Sequence, residues 1–114
     1  DFTKRILGSI ISSGKKSGVN HQNIMDLVSE FYNIKTEDLL NKGRKQEVAW
    51  ARQVAMFLMR SELNLSYPSI GDKFGGRDHT TALHAFEKIN KEIEINEKLK
   101  ETLFALKERL YNLE

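Results

Sequence analysis

The amino-acid sequence predicts an all-α protein. Apolar residues recur at spacings of three and four along most of the chain, whereas strand-like alternation is rare. The 114 residues include one proline, and a pair of glycines separates two helical stretches. We therefore expect one domain of about six helices that contains a helix-turn-helix and follows an N-terminal connector helix.

The composition excludes several classes of site. The chain has no cysteine, so it forms neither a disulfide nor a thiolate metal site, which agrees with a reducing compartment. His21 and His79 lack the spacing of metal ligands, and we expect His21 to be solvated. No apolar run approaches the roughly 20 residues of a membrane span. No secretory signal is visible, although the chain does not start at a natural first residue.

Positive charge is concentrated in the middle of the chain. The net charge is only +2, but residues 41–91 carry nine basic and five acidic side chains. Residues 92–114 carry four basic and six acidic side chains. A clustered basic surface attracts phosphate, but ordinary solvated helix faces would explain the same pattern.

The N-terminal segment predicts an amphipathic helix over residues 2–12 and a flexible basic linker to residue 18. Three locations are open to this helix. It can pack on an upstream domain, on the domain that follows, or on an anionic membrane surface. We assign residues 1–18 to a connector and residues 19–114 to the domain proper.

Two helices and a basic loop follow. Asn20 can cap a helix over residues 21–32, and Thr36 begins a short helix that ends near Leu40. Residues 41–47 form the loop, in which Arg44 follows a glycine. An arginine so placed can enter a narrow minor groove of DNA, or it can be an ordinary exposed loop residue.

A buried helix is predicted from about Glu47 to Glu62, because its residues are apolar almost all round. Arg52, Gln53 and Arg60 share one side of it. Charged groups on a buried helix need partners, either phosphates or carboxylates of the chain itself. We expect Trp50 to pack in the core or at the edge of a groove.

The helix-turn-helix is predicted between residues 66 and 95. Tyr67 and Pro68 open its first helix, where Ser66 and free N–H groups can bind a phosphate or simply cap the helix. Two glycines make the turn, and Asp78 caps a second helix that runs to about Ile95. One side of that helix is apolar, at Ala82, Ala85, Phe86, Ile89 and Ile93. The other side is polar, at Thr80, His84, Glu87, Lys88 and Lys91.

The polar side suits the major groove of DNA. Asp78, His79 and Thr80 at the helix start can read base edges, since aspartate accepts from cytosine N4 and threonine contacts the thymine methyl. Arg77 suits a phosphate or a structural pair. Thr81, His84 and Lys88 lie farther along the same face. A last helix from Asn96, with leucines at 99, 103, 106, 110 and 113, closes the core or forms a dimer.

The run from Ile70 to Thr81, continued by Leu83, His84 and Ala85, resembles the C-terminal signature (domain IV) of the DnaA family of bacterial replication initiators. The resemblance extends back to about Val19, and residues 1–18 match weakly. It implies binding of double-stranded DNA at an A·T-rich nonamer, the DnaA box, in the replication origin. It also implies that Arg44 reads the minor groove. Gln46 stands where many members carry a basic residue.

By this resemblance and the preceding arguments, fifteen residues are candidates for DNA contact. They are Arg44, Lys45, Arg52, Gln53, Arg60, Ser66, Tyr67, Pro68, Arg77, Asp78, His79, Thr80, Thr81, His84 and Lys88. The resemblance further implies an upstream ATPase domain that binds ATP and magnesium, contact with acidic phospholipids and replication regulators, and a cytoplasmic, nucleoid-associated location. We expect no cofactor in this chain and a monomeric fragment.

Two other classes of function compete with this interpretation. An enzyme could use Asp78, His79 and His84 as acid–base groups, but the sequence offers no nucleophile, second carboxylate or ATPase phosphate loop beside them. A transcription-regulator-type or protein-interaction helical domain without origin specificity would use the same faces. DNA binding differs from protein interaction in its steep dependence on salt.

Overall fold

The computed structural model describes residues 19–41 and 45–112, and all regular structure within them is helical. The all-α fold with a helix-turn-helix is therefore confirmed. The helices are α1 (His21–Tyr32), α2 (Thr36–Leu40), α3 (Gln46–Leu63), α4 (Tyr67–Lys73), α5 (His79–Ile95) and α6 (Glu97–Tyr111). The predicted connector and linker over residues 1–18, the loop residue Arg44 and the last leucine of the final stripe lie outside the described residues.

Local sequence explains where α1 begins and where α1 and α3 end. The Asn20 side chain accepts from the Asn23 N–H at 3.0 Å, and the Asn23 side chain accepts from the Asn20 N–H at 2.8 Å. This reciprocal capping satisfies two N–H groups that have no partner within the helix. Asn33 and Asn64 each follow a helix with φ of 57°, the left-handed conformation that stops helical pairing.

The core is built around α3, which lies between α1 and α5. Nine of its residues are buried, as its apolar sequence predicts. The ring of Phe57 on α3 stacks on that of Phe86 on α5, with centroids 5.1 Å apart. The α6 leucines at positions 99, 103, 106 and 110 are also buried in this core, so the prediction of a closing helix is confirmed.

We expect Phe74→Ala to lower the free energy of unfolding by about 3–5 kcal/mol, because the Phe74 side chain is fully buried and its removal leaves a cavity. Urea denaturation followed by circular dichroism measures this loss. Phe104→Ala is the matched control, since the Phe104 side chain is 67% exposed. Equal losses in the two variants would contradict the burial described here.

Candidate nucleic-acid interface

The turn between α4 and α5 depends on three glycines. Gly75 and Gly76 have φ of 81° and 78°, a region where a side chain would strain the backbone. The Gly71 carbonyl accepts from the N–H groups of Phe74 at 3.1 Å and Arg77 at 2.9 Å. A Cβ on Gly71 would collide with the Arg77 carbonyl. The end of α4 and the approach to α5 therefore touch through backbone atoms.

The helix α5 presents one side to the core and the other to solvent, as predicted. Ala82, Ala85 and Ile89 are buried, and Phe86 and Ile93 pack against them. The polar residues of the opposite side are all exposed: Thr80, Thr81, His84, Glu87, Lys88 and Lys91. This face is therefore free to meet another molecule.

The three predicted base-reading residues contact one another. Asp78 occupies the N-cap position of α5, but its carboxylate does not accept from an N–H group of the first turn. It accepts instead from the Thr80 hydroxyl at 3.1 Å, and lies 3.2 Å from Nδ1 of His79. The Thr80 hydroxyl lowers the pKa of the Asp78 carboxyl, which is therefore ionised at neutral pH. We call Asp78, His79 and Thr80 the readout triad.

The partners of Arg52 differ from those expected. We anticipated phosphates or carboxylates, but Nε donates to the Leu39 carbonyl at 2.8 Å and Nη2 donates to the Asn41 carbonyl, also at 2.8 Å. The side chain is only 8% exposed. Burial, and then the charge of Arg77, lowers the pKa of Arg52. The physical reason for this pairing is that the last carbonyls of a helix, here α2, have no partner within it.

Two further arginines are bound in the same way. Nη2 of Arg77 donates to the Asn41 carbonyl at 2.7 Å, and Nη1 donates to that of Phe74 at 2.7 Å. Nη1 of Arg60 donates to the Leu65 carbonyl at 3.0 Å. The structural-pair alternative for Arg77 is therefore observed, with carbonyl acceptors. A contact of these arginines with DNA stays a prediction.

A groove runs between α3 and the exposed face of α5. Its polar lining is formed by Arg52, Gln53, Arg77, Thr81, His84 and Lys88. Three of these side chains are cations and none is a carboxylate. Within the described residues, Oε1 of Gln53 is buried and has no hydrogen-bond partner. The three cations suit the groove to an anion, whereas the Gln53 oxygen is an acceptor and needs a donor.

The structure also describes the candidates at the start of α4 and just before α3. The Ser66 hydroxyl oxygen accepts from the Ser69 N–H at 3.2 Å, so the capping alternative is observed. Pro68 stands in the first turn of α4, as predicted. The Arg60 guanidinium lies over the Tyr67 ring, with Cζ of Arg60 4.6 Å from the ring centroid. Lys45 is exposed just before α3.

The sequence predicted the environment of Trp50 correctly and that of His21 only in part. Trp50 packs against the core, as expected, and Nζ of Lys88 lies 5.9 Å from its ring centroid. His21 is partly buried rather than fully solvated, and burial, followed by the charge of Lys73, lowers its pKa. Sequence reasoning missed the carbonyls of residues 39–41, because backbone acceptors leave no signal in the side chains.

Metal sites and membrane spans are absent from the described part of the chain. No group of three or more His, Cys, Asp or Glu side chains there could hold a metal ion. None of the helices in residues 19–41 and 45–112 combines the length and the apolar character that a membrane span requires.

Comparisons with known proteins identify relatives of this fold. The model of a protein family described as the bacterial DnaA protein helix-turn-helix matches residues 21–89, more than half of the chain. The structure is also similar to a solved structure described as a DNA replication initiation factor, with a TM-score of 0.70 and 27% sequence identity. That similarity covers 81% of this chain and 29% of the other, so this chain spans less than a third of the length of that protein.

We expect Gly71→Ala to lower the free energy of unfolding by about 2–3 kcal/mol, because backbone atoms must move apart to admit the methyl group. Gly76→Ala is the control. An added Cβ there meets open space, and only the cost of the left-handed conformation, about 1 kcal/mol, remains. Urea denaturation measures both values. A Gly71→Ala protein as stable as the wild type would contradict the close approach of α4 to residue 77.

Proposed function

The chain belongs to the family of the bacterial DnaA protein helix-turn-helix, and we propose from this premise that it binds double-stranded DNA sequence-specifically in the initiation of chromosomal replication. The observation that carries the proposal is the exposed polar face of α5, which begins at the readout triad and borders a cationic groove. This is the arrangement by which a helix-turn-helix enters the major groove.

We propose that the readout triad contacts base edges. The Thr80 hydroxyl donates a hydrogen bond to the Asp78 carboxylate. This bond leaves the lone pairs of the hydroxyl oxygen available as acceptors and restrains the Thr80 rotamer. The charged Asp78 carboxylate keeps lone pairs that can accept from cytosine N4. His79 and Thr80 are short or planar side chains at the tip of the helix, so α5 can approach the bases closely. The contacts within the triad support base reading by reducing the freedom lost on binding.

The groove beside α5 supplies contacts to the DNA backbone. Lys88, His84 and Thr81 face outward along α5, and the side chain of Gln53 lies across from them on α3. We assign these groups, with Lys45 and the N-terminus of α4 at Ser66, Tyr67 and Pro68, to phosphates. Such contacts position the protein and do not themselves read the sequence.

The target of the proposed binding is a DnaA box, an A·T-rich nonamer. We propose that Arg44 enters the minor groove next to the segment read by α5. Support comes from the family and from the sequence, in which Arg44 lies between the end of α2 and the exposed Lys45. Minor-groove arginines favour A·T-rich DNA because its narrow groove is strongly negative.

The proposed role of this domain is binding without catalysis. In the whole protein we propose that an upstream ATPase domain, which binds ATP and magnesium, couples this binding to assembly at the origin. Acidic phospholipids, replication regulators and a nucleoid-associated location belong to the same proposal. All of these rest on the family alone.

We expect Thr80→Ala to weaken binding to a DnaA-box duplex by roughly 1–3 kcal/mol and binding to a scrambled duplex by much less. Thr81→Ala is the matched control, since Thr81 is exposed one residue farther along α5 and is assigned to phosphate, so it should weaken both duplexes equally. Fluorescence anisotropy at two salt concentrations measures both. A wild-type protein that binds the two duplexes with equal affinity would overturn sequence-specific binding. Binding to neither duplex would favour a protein-interaction domain.

The role of Arg44 predicts sensitivity to a change confined to the minor groove. Replacing adenine by 2,6-diaminopurine adds an N2 amino group there and leaves the major-groove pattern intact. The wild-type protein should bind the modified DnaA box more weakly, and Arg44→Ala should bind both forms alike. Lys45→Ala, which changes the neighbouring cation, should keep the wild-type sensitivity. Equal sensitivity in all three proteins would place Arg44 outside the minor groove.

A further inference from the structure

We propose that Arg77, together with Arg52, is a positioning residue for DNA recognition, which acts by clamping the end of α2 and so fixing the start of α5. The inference deepens the proposed function and rests on it, because positioning matters only if α5 reads DNA. It concerns residues that sequence reasoning assigned to direct DNA contact. Its basis is the set of hydrogen bonds around residues 39–41.

Guanidinium groups from two elements meet at the C-terminus of α2. Arg52 comes from α3 and donates to the Leu39 and Asn41 carbonyls, each at 2.8 Å. Arg77 comes from the turn of the helix-turn-helix and donates to the Asn41 carbonyl at 2.7 Å and to that of Leu40 at 3.4 Å. Arg52 also donates to the Asp38 carbonyl at 3.4 Å. Four successive carbonyls, those of residues 38–41, are therefore bound, and both arginines share that of Asn41. We call these contacts the α2 clamp.

The α2 clamp reaches α5 through one residue. Arg77 immediately precedes Asp78, the N-cap of α5 and first member of the readout triad. The Arg77 N–H donates to the Gly71 carbonyl at 2.9 Å, and its guanidinium also donates to the Phe74 carbonyl at 2.7 Å. The residue before the triad is thus held by its backbone to α4 and by its side chain to α2. A shift of this residue would shift the triad with it.

The clamp depends on the shape of the arginine side chain more than on its charge. Within the described residues, both guanidiniums donate to backbone carbonyls and not to carboxylates. The planar fork of Arg77 reaches three carbonyls at once, whereas a lysine ammonium is a single point charge that cannot reproduce this geometry. Arg52 is 8% exposed, so its remaining donors have little access to DNA.

The decisive variants separate geometry from charge. Arg77→Lys keeps the charge and loses the fork, and Arg77→Met loses both. We expect each to reduce the ratio of DnaA-box affinity to scrambled-duplex affinity by about tenfold, the scale of one lost base contact. The slope of log affinity against log salt should stay unchanged in both variants. A positioning residue outside the phosphate contacts releases no counterion of its own.

The control is Lys88→Met, which removes an exposed cation assigned to phosphate. It should reduce the salt slope by about 0.9 and leave the affinity ratio unchanged. If Arg77→Met behaves like Lys88→Met while Arg77→Lys behaves like the wild type, Arg77 is a phosphate contact and the inference is overturned.

A measurement without DNA tests the clamp itself. The Asn41 N–H donates to the carbonyls of Glu37 and Asp38 at 3.2 and 3.3 Å, so its hydrogen exchange reports opening at the end of α2. In Arg77→Lys this amide should exchange about tenfold faster, as expected for the loss of roughly one hydrogen bond, while the amides of α3 keep their protection. Unchanged exchange at Asn41 would overturn the positioning role alone. A wild-type protein that ignores DNA sequence would overturn the proposed function and the positioning role together.

Discussion

The carbonyl groups at the end of α2 must find hydrogen-bond donors, and this requirement shapes the interface. A helix leaves its last carbonyls unpaired, and such groups are costly to bury without a partner. Here α2 ends beside the buried helix α3 and the turn that leads into α5, and its end is only partly shielded from water, since Leu39 is fully buried whereas Leu40 is 41% exposed. Arg52 and Arg77 supply the donors from those two elements. The unpaired carbonyls of α2 thereby connect α2 to α3 and to the turn that precedes α5.

The positive charge of the interface follows from the absence of carboxylates in the groove that Arg52 and Arg77 line. The groove between α3 and α5 contains three cations and no carboxylate in its lining. The carbonyl groups that accept from Arg52 and Arg77 do not cancel the charge of these cations, so an anion can still lower the energy of the site. The Asp78 carboxylate at the start of α5 accepts from the Thr80 hydroxyl, which lowers its pKa, and this agrees with the acceptor role that we propose for it.

Elements whose cause lies within a few residues were predictable. The Asn20 cap, the apolar and polar sides of α5 and the proline at the start of α4 all appear as local patterns, and the structure has them there. The partners of Arg52 and Arg60 were not predictable. Arg52 binds carbonyls 11 to 14 residues away along the chain, and no side-chain pattern marks a carbonyl as accessible.

The sequence by itself determined the helical class, the order of the helices and the exposed face of α5, because hydrophobic period, capping and glycine turns act over short distances. It also contains the long motif by which the family is recognised. The tertiary structure alone decided which hydrogen-bond partners the buried and half-buried arginines have. Packing brings the end of α2 beside residue 77, which is 36 residues away from Asn41 along the chain. Hydrogen bonds of that kind depend on how the helices approach one another, and the spacing of residues along the chain does not encode this approach.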